Sequence, residues 1–240
     1  MNKKIILSSF ASLLFLSQAA NAEIKIGQGS LTFNAGVNSQ YISRGIDQNR
    51  DKPSPFIGAD FSIPVIEGFG FYAGAWTAAA DYVSGAGGQE RDYYAGITKT
   101  IGNTTLDLGY ISYNYPGATN SSEKQTAEYY VKATVAPEKQ PYTFGVAVYQ
   151  DDTNGQYSSN QKYERYYIEG NATYDFGVAQ GKISYGIYDN DTNTTTVSLS
   201  KEFYTVDFTA SYISAQKENN SISSLNKGRE YLTLSATKKF

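Results

Sequence analysis

Apolar and polar side chains alternate along most of the chain with a period of two, the repeat of a β-strand whose two faces meet different surroundings. The first clear run places on one face Leu31, Phe33, Ala35, Val37, Ser39 and Tyr41, and on the other Thr32, Asn34, Gly36, Asn38 and Gln40. Similar runs begin near Ile57, Tyr93, Leu106, Tyr129, Tyr142, Tyr166, Ile183, Val197, Val206 and Leu232. Residues 70–82 also read as extended, but small side chains occupy both faces and Trp76 fits either one. The pattern predicts an all-β chain.

The connections between these runs alternate in length. Short ones fall near 65–69, 102–103, 137–140, 175–180 and 202–204, and longer polar ones at 43–54, 83–89, 116–124, 151–161, 190–193 and 216–228. Short turns at one membrane face and longer loops at the other are typical of outer-membrane barrels. The sequence therefore predicts an antiparallel transmembrane β-barrel of about twelve strands with both termini in the periplasm. Ten or fourteen strands would require one hairpin to be assigned wrongly.

The N-terminus has the three parts of a secretory signal. Lys3 and Lys4 form a positive region, residues 5–15 an apolar region, and residues 20–22 a small-x-small cleavage site. We expect residues 1–22 to be a cleaved signal peptide and residues 23–240 to form one barrel of about 218 residues. Nothing after the signal is long and apolar enough for a transmembrane helix. The predicted location is the cell outer membrane.

The composition favours a barrel and argues against catalysis. The chain contains 22 Tyr, 12 Phe and one Trp, but neither Cys nor His. Many tyrosines suit a barrel, whose aromatic girdles lie at the two membrane interfaces. Without Cys and His there is no Ser-His-Asp or Cys-His triad and no His-ligated zinc site, so we predict no enzyme activity, no metal and no cofactor. Cleavage of the signal would lower the net charge from −3 to about −5, which disfavours nucleic acid as a partner.

The C-terminal run has the character of a closing strand. We interpret Leu232, Leu234 and the terminal Phe240 as its assembly signal, although Lys238 stands where such signals usually carry an apolar residue. The expected partners are the barrel assembly machinery during biogenesis, and outer-membrane lipids and lipopolysaccharide around the finished barrel.

Charged residues also occur on the polar faces that a barrel turns toward its lumen. They are the acids Asp60, Asp92, Asp107, Glu128, Glu169 and Asp207 and the bases Lys132, Arg165 and Lys182. Acids slightly outnumber bases, which predicts a weak preference for cations at most. Alternatively, these charges pair across the lumen and fill it. Width does not decide between the two, because twelve strands lie between the filled barrels of about eight strands and the water-filled porins of about sixteen.

A motif near the first long connection resembles a known family. Residues 36–48 contain the pattern Y-x-x-R-G-x-x-Q as Tyr41, Arg44, Gly45 and Gln48, and residues 70–76 read GFYAGAW. This opening resembles that of the TorF family of porins, also called the Gcw_chp family. The resemblance covers roughly the first third of the mature chain and implies an outer-membrane barrel with a pore, without a known substrate. Asp47 departs from the pattern, which often has Ser there.

The Arg44-Gly45 pair can also be interpreted without the family. It lies where the first alternating run ends and the first long connection begins. We expect Gly45 to permit a bulge or a positive φ at the barrel rim, and Arg44 to reach inward to a lumen acid such as Asp60 or Asp81. The motif is then either a structural contact at the rim or part of a ligand site or gate.

Taken together, these features predict a passive porin for small hydrophilic solutes. The alternative is a non-conducting surface or structural barrel with an occluded lumen, serving adhesion or envelope integrity.

Overall fold

A computed structural model describes residues 23–81, 88–118, 125–152, 166–188, 192–217 and 228–240. The described chain consists of β-strands joined by turns and loops. The strands are β1 Ile24–Ile26, β2 Gly29–Asn38, β3 Ile42–Ser43, β4 Ile46–Asp47, β5 Ser54–Ile66, β6 Phe69–Ala79, β7 Gln89–Ile101, β8 Thr104–Asn114, β9 Gln125–Val135, β10 Tyr142–Asp151, β11 Tyr166–Asp175, β12 Gln180–Tyr188, β13 Thr192–Phe203, β14 Val206–Lys217 and β15 Arg229–Lys239.

Twelve of these strands form a closed antiparallel barrel. Each strand from β5 to β15 pairs with the next along the chain, β15 pairs with β2, and β2 pairs with β5. The short strand β1 folds back on the start of β2, so it lengthens one edge without adding to the ring. A closed ring leaves no open edge of unpaired backbone groups, which is the condition for a sheet to lie in a bilayer. The predicted fold class and strand count are confirmed.

In the described residues, no helix has the length and apolar character needed to cross a membrane.

The register confirms which face of each strand points inward. Tyr129 and Tyr130 are neighbours on β9, yet Tyr129 is 52% exposed on the outside and Tyr130 is 1% exposed inside. Tyr93-Tyr94 and Tyr166-Tyr167 divide in the same way, with the second ring inside. Trp76, which the sequence left open, pairs with Gly58 and Asp92 on the lumen side. The polar half of the alternation therefore lines the lumen, and the apolar half forms the outer surface.

The two ends of the barrel differ as the sequence predicts. Five short connections, together with the first and last described residues, lie at one end, which we call the turn end. The six other connections lie at the opposite loop end. At the turn end, Tyr204 and Thr205 have φ of 46° and 66° and form a two-residue turn between β13 and β14. Such turns match the twist of the strands they join.

The first long connection contradicts one expectation. The alternation was expected to continue through Ser39 and Tyr41 on the outer face, but β2 ends at Asn38. Residues 39–53 turn into the lumen, where β3 and β4 form a separate two-stranded sheet. We call residues 39–53 the inward hairpin. It is an insertion in the ring, because Asn38 and Ser54 on either side of it pair directly with one another.

Candidate functional site

The inward hairpin places the Arg44-Gly45 pair at its tip rather than at the rim. Arg44 has φ of 47° and Gly45 of 79°, the arrangement of a two-residue turn with both central residues in the left-handed region. The positive φ expected for Gly45 is therefore confirmed, and its position is corrected. A Cβ on Gly45 would lie 2.6 Å from Cβ of Ala215 and 2.7 Å from Oγ1 of Thr194. Thr194 Oγ1 also donates to the Arg44 carbonyl at 3.1 Å, so the tip lies against β13 and β14.

The Arg44 side chain crosses to the far wall and is held there on several sides. Its two terminal nitrogens donate to the two carboxylate oxygens of Glu128 at 2.6 and 2.8 Å. The guanidinium carbon lies 4.3 Å from the ring centre of Tyr149 and 4.7 Å from that of Tyr167. Tyr113 donates to the same carboxylate at 3.0 Å and fixes its position. We call Glu128, Tyr149 and Tyr167 the Arg44 cage.

The charge of Arg44 is preserved in this enclosed position. The side chains of Arg44 and Glu128 are only 14% and 9% exposed. Burial alone would lower the pKa of the Arg44 guanidinium, but the Glu128 carboxylate outweighs burial and raises that pKa well above its usual value. A bidentate, charged pair of this kind is among the stronger hydrogen-bonded contacts in proteins.

The acid that Arg44 meets is not one of those expected. Asp60 accepts hydrogen bonds from Tyr94 and Asn34 instead. Asp81 lies near the base of the hairpin, where its carboxylate is 3.4 Å from the Lys52 ammonium. Arg44 does pair with a lumen acid, but the expected Asp60 or Asp81 was wrong, because the tip lies against β13 and β14 and the Arg44 side chain extends from there to Glu128 on β9.

The base of the hairpin is fixed by the other members of the motif. Tyr41 donates to Glu90 at 3.2 Å, and its ring meets Trp76 edge-on at a centroid distance of 5.5 Å. Burial, followed by the charge of Glu90, raises the pKa of the Tyr41 hydroxyl well above its usual value, so it stays a donor. Gln48 N–H donates to the Tyr41 carbonyl at 2.7 Å, and Asp81 N–H donates to the Gln48 carbonyl at 2.8 Å.

Two further contacts shape the hairpin. Ile42 packs in a buried cluster with Ile213 and Tyr231 on the wall. Asp47 accepts from the backbone N–H groups of Asn49 at 2.9 Å and Asp51 at 2.6 Å, which closes the turn that returns the chain to β5. Asp47, the departure from the family pattern, thus has a structural role in this chain.

Acidic side chains predominate around the hairpin. Glu90 and Asp92 are both buried on β7, and Glu90 Oε2 and Asp92 Oδ1 have no hydrogen-bond partner among the described residues. Glu90 escaped the sequence analysis because it lies between the connection at 83–89 and the alternating run near Tyr93, although it has the same phase as Asp92 two residues later. Within the described ranges, no three Asp, Glu, His or Cys side chains come together as they would around a metal ion.

Below the hairpin, aromatic side chains cluster on one side of the lumen, along the adjacent strands β6 to β9. Tyr72, Tyr94, Ile111 and Tyr130 form a buried cluster. The Tyr72 hydroxyl contacts that of Tyr130 and donates to Asp107 at 2.7 Å. This cluster narrows the middle of the lumen.

Two further charged pairs lie nearer the turn end. Lys132 is 3.8 Å from Asp107, and its ammonium lies 4.4 Å from the ring centre of Tyr130. Asp207 is 3.7 Å from Lys239, a lumen base not singled out from the sequence. The predicted lumen residues that the structure describes all have the lumen phase, namely Asp60, Asp92, Asp107, Glu128, Lys132, Glu169, Lys182 and Asp207. Arg165 lies outside the described residues.

The lumen wall is uneven around its circumference. Large rings come mainly from β6 to β12. Apart from Ile213 and Tyr231 beside the hairpin, many inward positions of β13, β14 and β15 are small and polar, among them Thr194, Ser198, Ser200, Thr209, Ser211 and Thr233. The residues of the assembly signal lie on the opposite, outer face, where Leu232, Leu234 and Phe240 are exposed.

The fold is shared with known membrane channels. The chain is similar to the KdgM porin, with a TM-score of 0.52 and 10% identity over 88% of this chain and 98% of that chain. It is also similar to an outer membrane channel from Pseudomonas putida F1, with a TM-score of 0.53 and 10% identity over 94% of this chain and 100% of that chain. These likenesses show a porin-like barrel fold. Comparison with curated proteins gives no significant match.

The amino-acid sequence also matches a family model. The family described as a bacterial protein of unknown function (Gcw_chp) matches residues 24–237. The match runs well past the first third of the chain, on which the sequence resemblance depended, and it includes both the inward hairpin and the Arg44 cage. The chain therefore belongs to the Gcw_chp family of bacterial proteins.

Proposed function

We propose that this protein is a passive channel of the outer membrane for small hydrophilic solutes, and that the inward hairpin is its constriction. The observation that supports this most directly is a closed barrel with a polar lumen crossed by a segment that is not part of its ladder. The hairpin contacts the wall through side chains, Arg44 with Glu128 on β9 and Ile42 with Ile213 and Tyr231 on β14 and β15, while β3 and β4 pair with each other. It can therefore leave the lumen without breaking the barrel.

The location follows from the predicted signal peptide and from the outer surface. Residues 1–22 would direct export, and the exposed apolar face of the strands would contact outer-membrane lipids and lipopolysaccharide. The barrel assembly machinery would recognise the closing strand through Leu232, Leu234 and Phe240. The resemblance to the TorF porins supports the same assignment.

The acidic side chains at the loop end favour cations over anions. Glu90, Asp92 and Glu128 all point into the lumen around the hairpin, where Arg44 pairs with Glu128. Rings of acidic side chains select for cations in channels. We therefore propose a weak cation preference.

A second candidate is a non-conducting barrel with a structural or surface role. The observation that favours it is the buried cluster of Tyr72, Tyr94, Ile111 and Tyr130 in the middle of the lumen. In this alternative the cluster is a permanent plug, and removal of the hairpin would not open a path.

Planar-bilayer recordings distinguish the two candidates. The refolded wild-type protein is compared with a variant in which residues 41–48 are replaced by a short Gly-Ser turn. We expect discrete steps for the wild type and larger steps for the variant, with a reversal potential that indicates cations in a salt gradient. Heat-modifiable migration in gels checks that both proteins are folded. Folded protein that gives no steps in either form would contradict the channel and favour the plugged barrel.

A further inference from the structure

The groups that hold the Arg44 guanidinium belong to the barrel wall. Glu128 is on β9, Tyr149 on β10 and Tyr167 on β11, and Tyr188 on β12 contacts Arg44 as well. The cage is thus complete without the hairpin that fills it. Its geometry depends on the barrel ladder and on the Tyr113 hydroxyl that fixes Glu128.

The chemistry of the cage is specific for one kind of group. A carboxylate that receives two parallel N–H donors matches the planar fork of a guanidinium. Two tyrosine rings within 4.3 and 4.7 Å of the cation add attraction from their faces. A compact metal cation matches the paired carboxylate oxygens and the ring faces less well than a planar guanidinium does. The wall therefore has the form of a guanidinium-binding site that a residue of the same chain occupies.

Withdrawal of the hairpin would remove the bidentate, positively charged partner of the Glu128 carboxylate, which lies in a poorly solvated position. Lys132, a lumen base, is already 3.8 Å from Asp107. A buried carboxylate without a partner is costly, so a cation of matching shape would be drawn into the vacated cage.

We propose that the Arg44 cage is the solute site of this channel, that it recognises small molecules bearing a guanidinium group, and that Arg44 fills it when no solute is present. The solute and the hairpin tip then compete for one site. Because a ligand shifts an equilibrium toward the state that it binds, the solute favours the open hairpin. This inference depends on the proposed function for its link to transport, but not for the binding itself.

Binding is tested by chemical rescue of the Arg44→Ala protein with guanidinium chloride at millimolar concentrations, far below those that denature. We expect the substitution to lower Tm, and guanidinium to raise it again in a saturable manner by roughly 2 to 4 °C. The double variant Arg44→Ala, Glu128→Gln should show no such rise. Arg50→Ala removes an exposed arginine of the same hairpin outside the cage, so guanidinium should not raise its Tm.

Tetramethylammonium chloride and sodium chloride at equal concentration are the ionic controls. Tetramethylammonium can lie on the rings but has no N–H donors, so rescue by guanidinium alone indicates the bidentate carboxylate. Equal rescue by all three salts would overturn the inference, because the effect would then be that of ionic strength.

The wild-type protein provides a second measurement that does not depend on the folding of a variant. Chymotrypsin can cut after Tyr41 only when the buried hairpin leaves the lumen. We expect guanidinium to accelerate this cut several-fold relative to sodium at equal ionic strength, as followed by mass spectrometry of the new ends. An unchanged rate would show that guanidinium does not compete with Arg44.

Bilayer recordings with agmatine, a guanidinium-bearing amine, connect the site to transport. If rescue and accelerated cleavage occur but no variant conducts, the site stands and the channel assignment fails. If the protein conducts but neither effect occurs, the channel stands and the guanidinium site is wrong. If all hold, agmatine should raise the open fraction of the wild type and have no effect on Glu128→Gln.

Discussion

The tip of the inward hairpin depends on two adjacent residues with different tasks. Arg44 supplies the charge that reaches Glu128, while Gly45 supplies a left-handed φ of 79° and the absence of a side chain beside Ala215 and Thr194. A non-glycine residue in the left-handed region is strained by about 1 to 2 kcal/mol. Gly45 thus positions the Arg44 side chain in the cage.

Substitution of Gly45 by Ala is therefore expected to loosen the hairpin. The strained φ and the contact of the new Cβ with Ala215 both oppose the seated tip, so chymotrypsin should cut after Tyr41 about tenfold faster or more. Gly177→Ala is the matched control, because Gly177 has φ of 80° but no atom near its missing Cβ. Cleavage in that variant should match the wild type. Equal acceleration in both variants would mean that the close approach at Ala215 has no role.

Neighbouring strands of the barrel show a recurring pairing of a buried tyrosine with a glycine. Buried tyrosines lie over glycines directly opposite on the neighbouring strand, as Tyr94 over Gly74, Tyr72 over Gly96 and Tyr130 over Gly109. Aromatic rings that cover strand glycines shield backbone that would otherwise lack contacts. These pairs allow large rings to lie flat along a narrow lumen.

Because these rings lie close to the glycines, a single methyl group added at such a glycine should destabilise the barrel. A Cβ on Gly109 would collide with the Tyr130 ring, so Gly109→Ala should lower the free energy of unfolding by about 1 to 3 kcal/mol. In Gly170→Ala, the added methyl meets no atom within 4 Å. That control should be neutral or stabilising by up to about 1 kcal/mol, since glycine weakens a strand. Urea titration in detergent micelles measures both, and a neutral Gly109→Ala would show that the ring moves aside freely.

The features of the strands that depend on local periodicity could be predicted from the sequence, whereas the path of the inward hairpin, which depends on distant contacts, could not. The two faces of the strands, the twelve-stranded count and the alternation of short and long connections all follow from side-chain phase. The path of the hairpin does not, because Tyr41 continues the outward phase of the first run yet turns inward to Glu90. Its direction is set by the Arg44 contact with Glu128, a residue 84 positions away in the chain.

The barrel as a whole is closed by its last strand. The N–H of Phe240 donates to the Phe33 carbonyl at 2.8 Å, and the N–H of Phe33 donates back at 3.1 Å, so closure uses the backbone of the final residue. The Phe240 ring itself lies on the outer surface. The backbone of Phe240 therefore takes part in closure, while its ring lies outside the barrel and takes no part in these hydrogen bonds.

Replacement of the Phe240 ring should affect assembly in the outer membrane without affecting folding in detergent. Phe240→Ala keeps the backbone bonds to Phe33, so refolding in detergent should be unchanged, while the amount of folded protein in the outer membrane of cells should fall several-fold. Phe208→Ala, which removes another exposed outer ring from β14, should leave that amount close to the wild type. An equal loss in both variants would point to lipid contact rather than recognition by the assembly machinery.

The direct pairing of Asn38 with Ser54 has a further consequence. The ring of strands is continuous on both sides of the inward hairpin, so the fifteen intervening residues form an insert that contributes no strand pairing to the barrel. A variant of this chain with a longer, shorter or altered insert should therefore keep the twelve strands and their outer surface. Under the proposed function, we expect hairpins exchanged between members of the family to change selectivity and to leave the ring of strands unchanged.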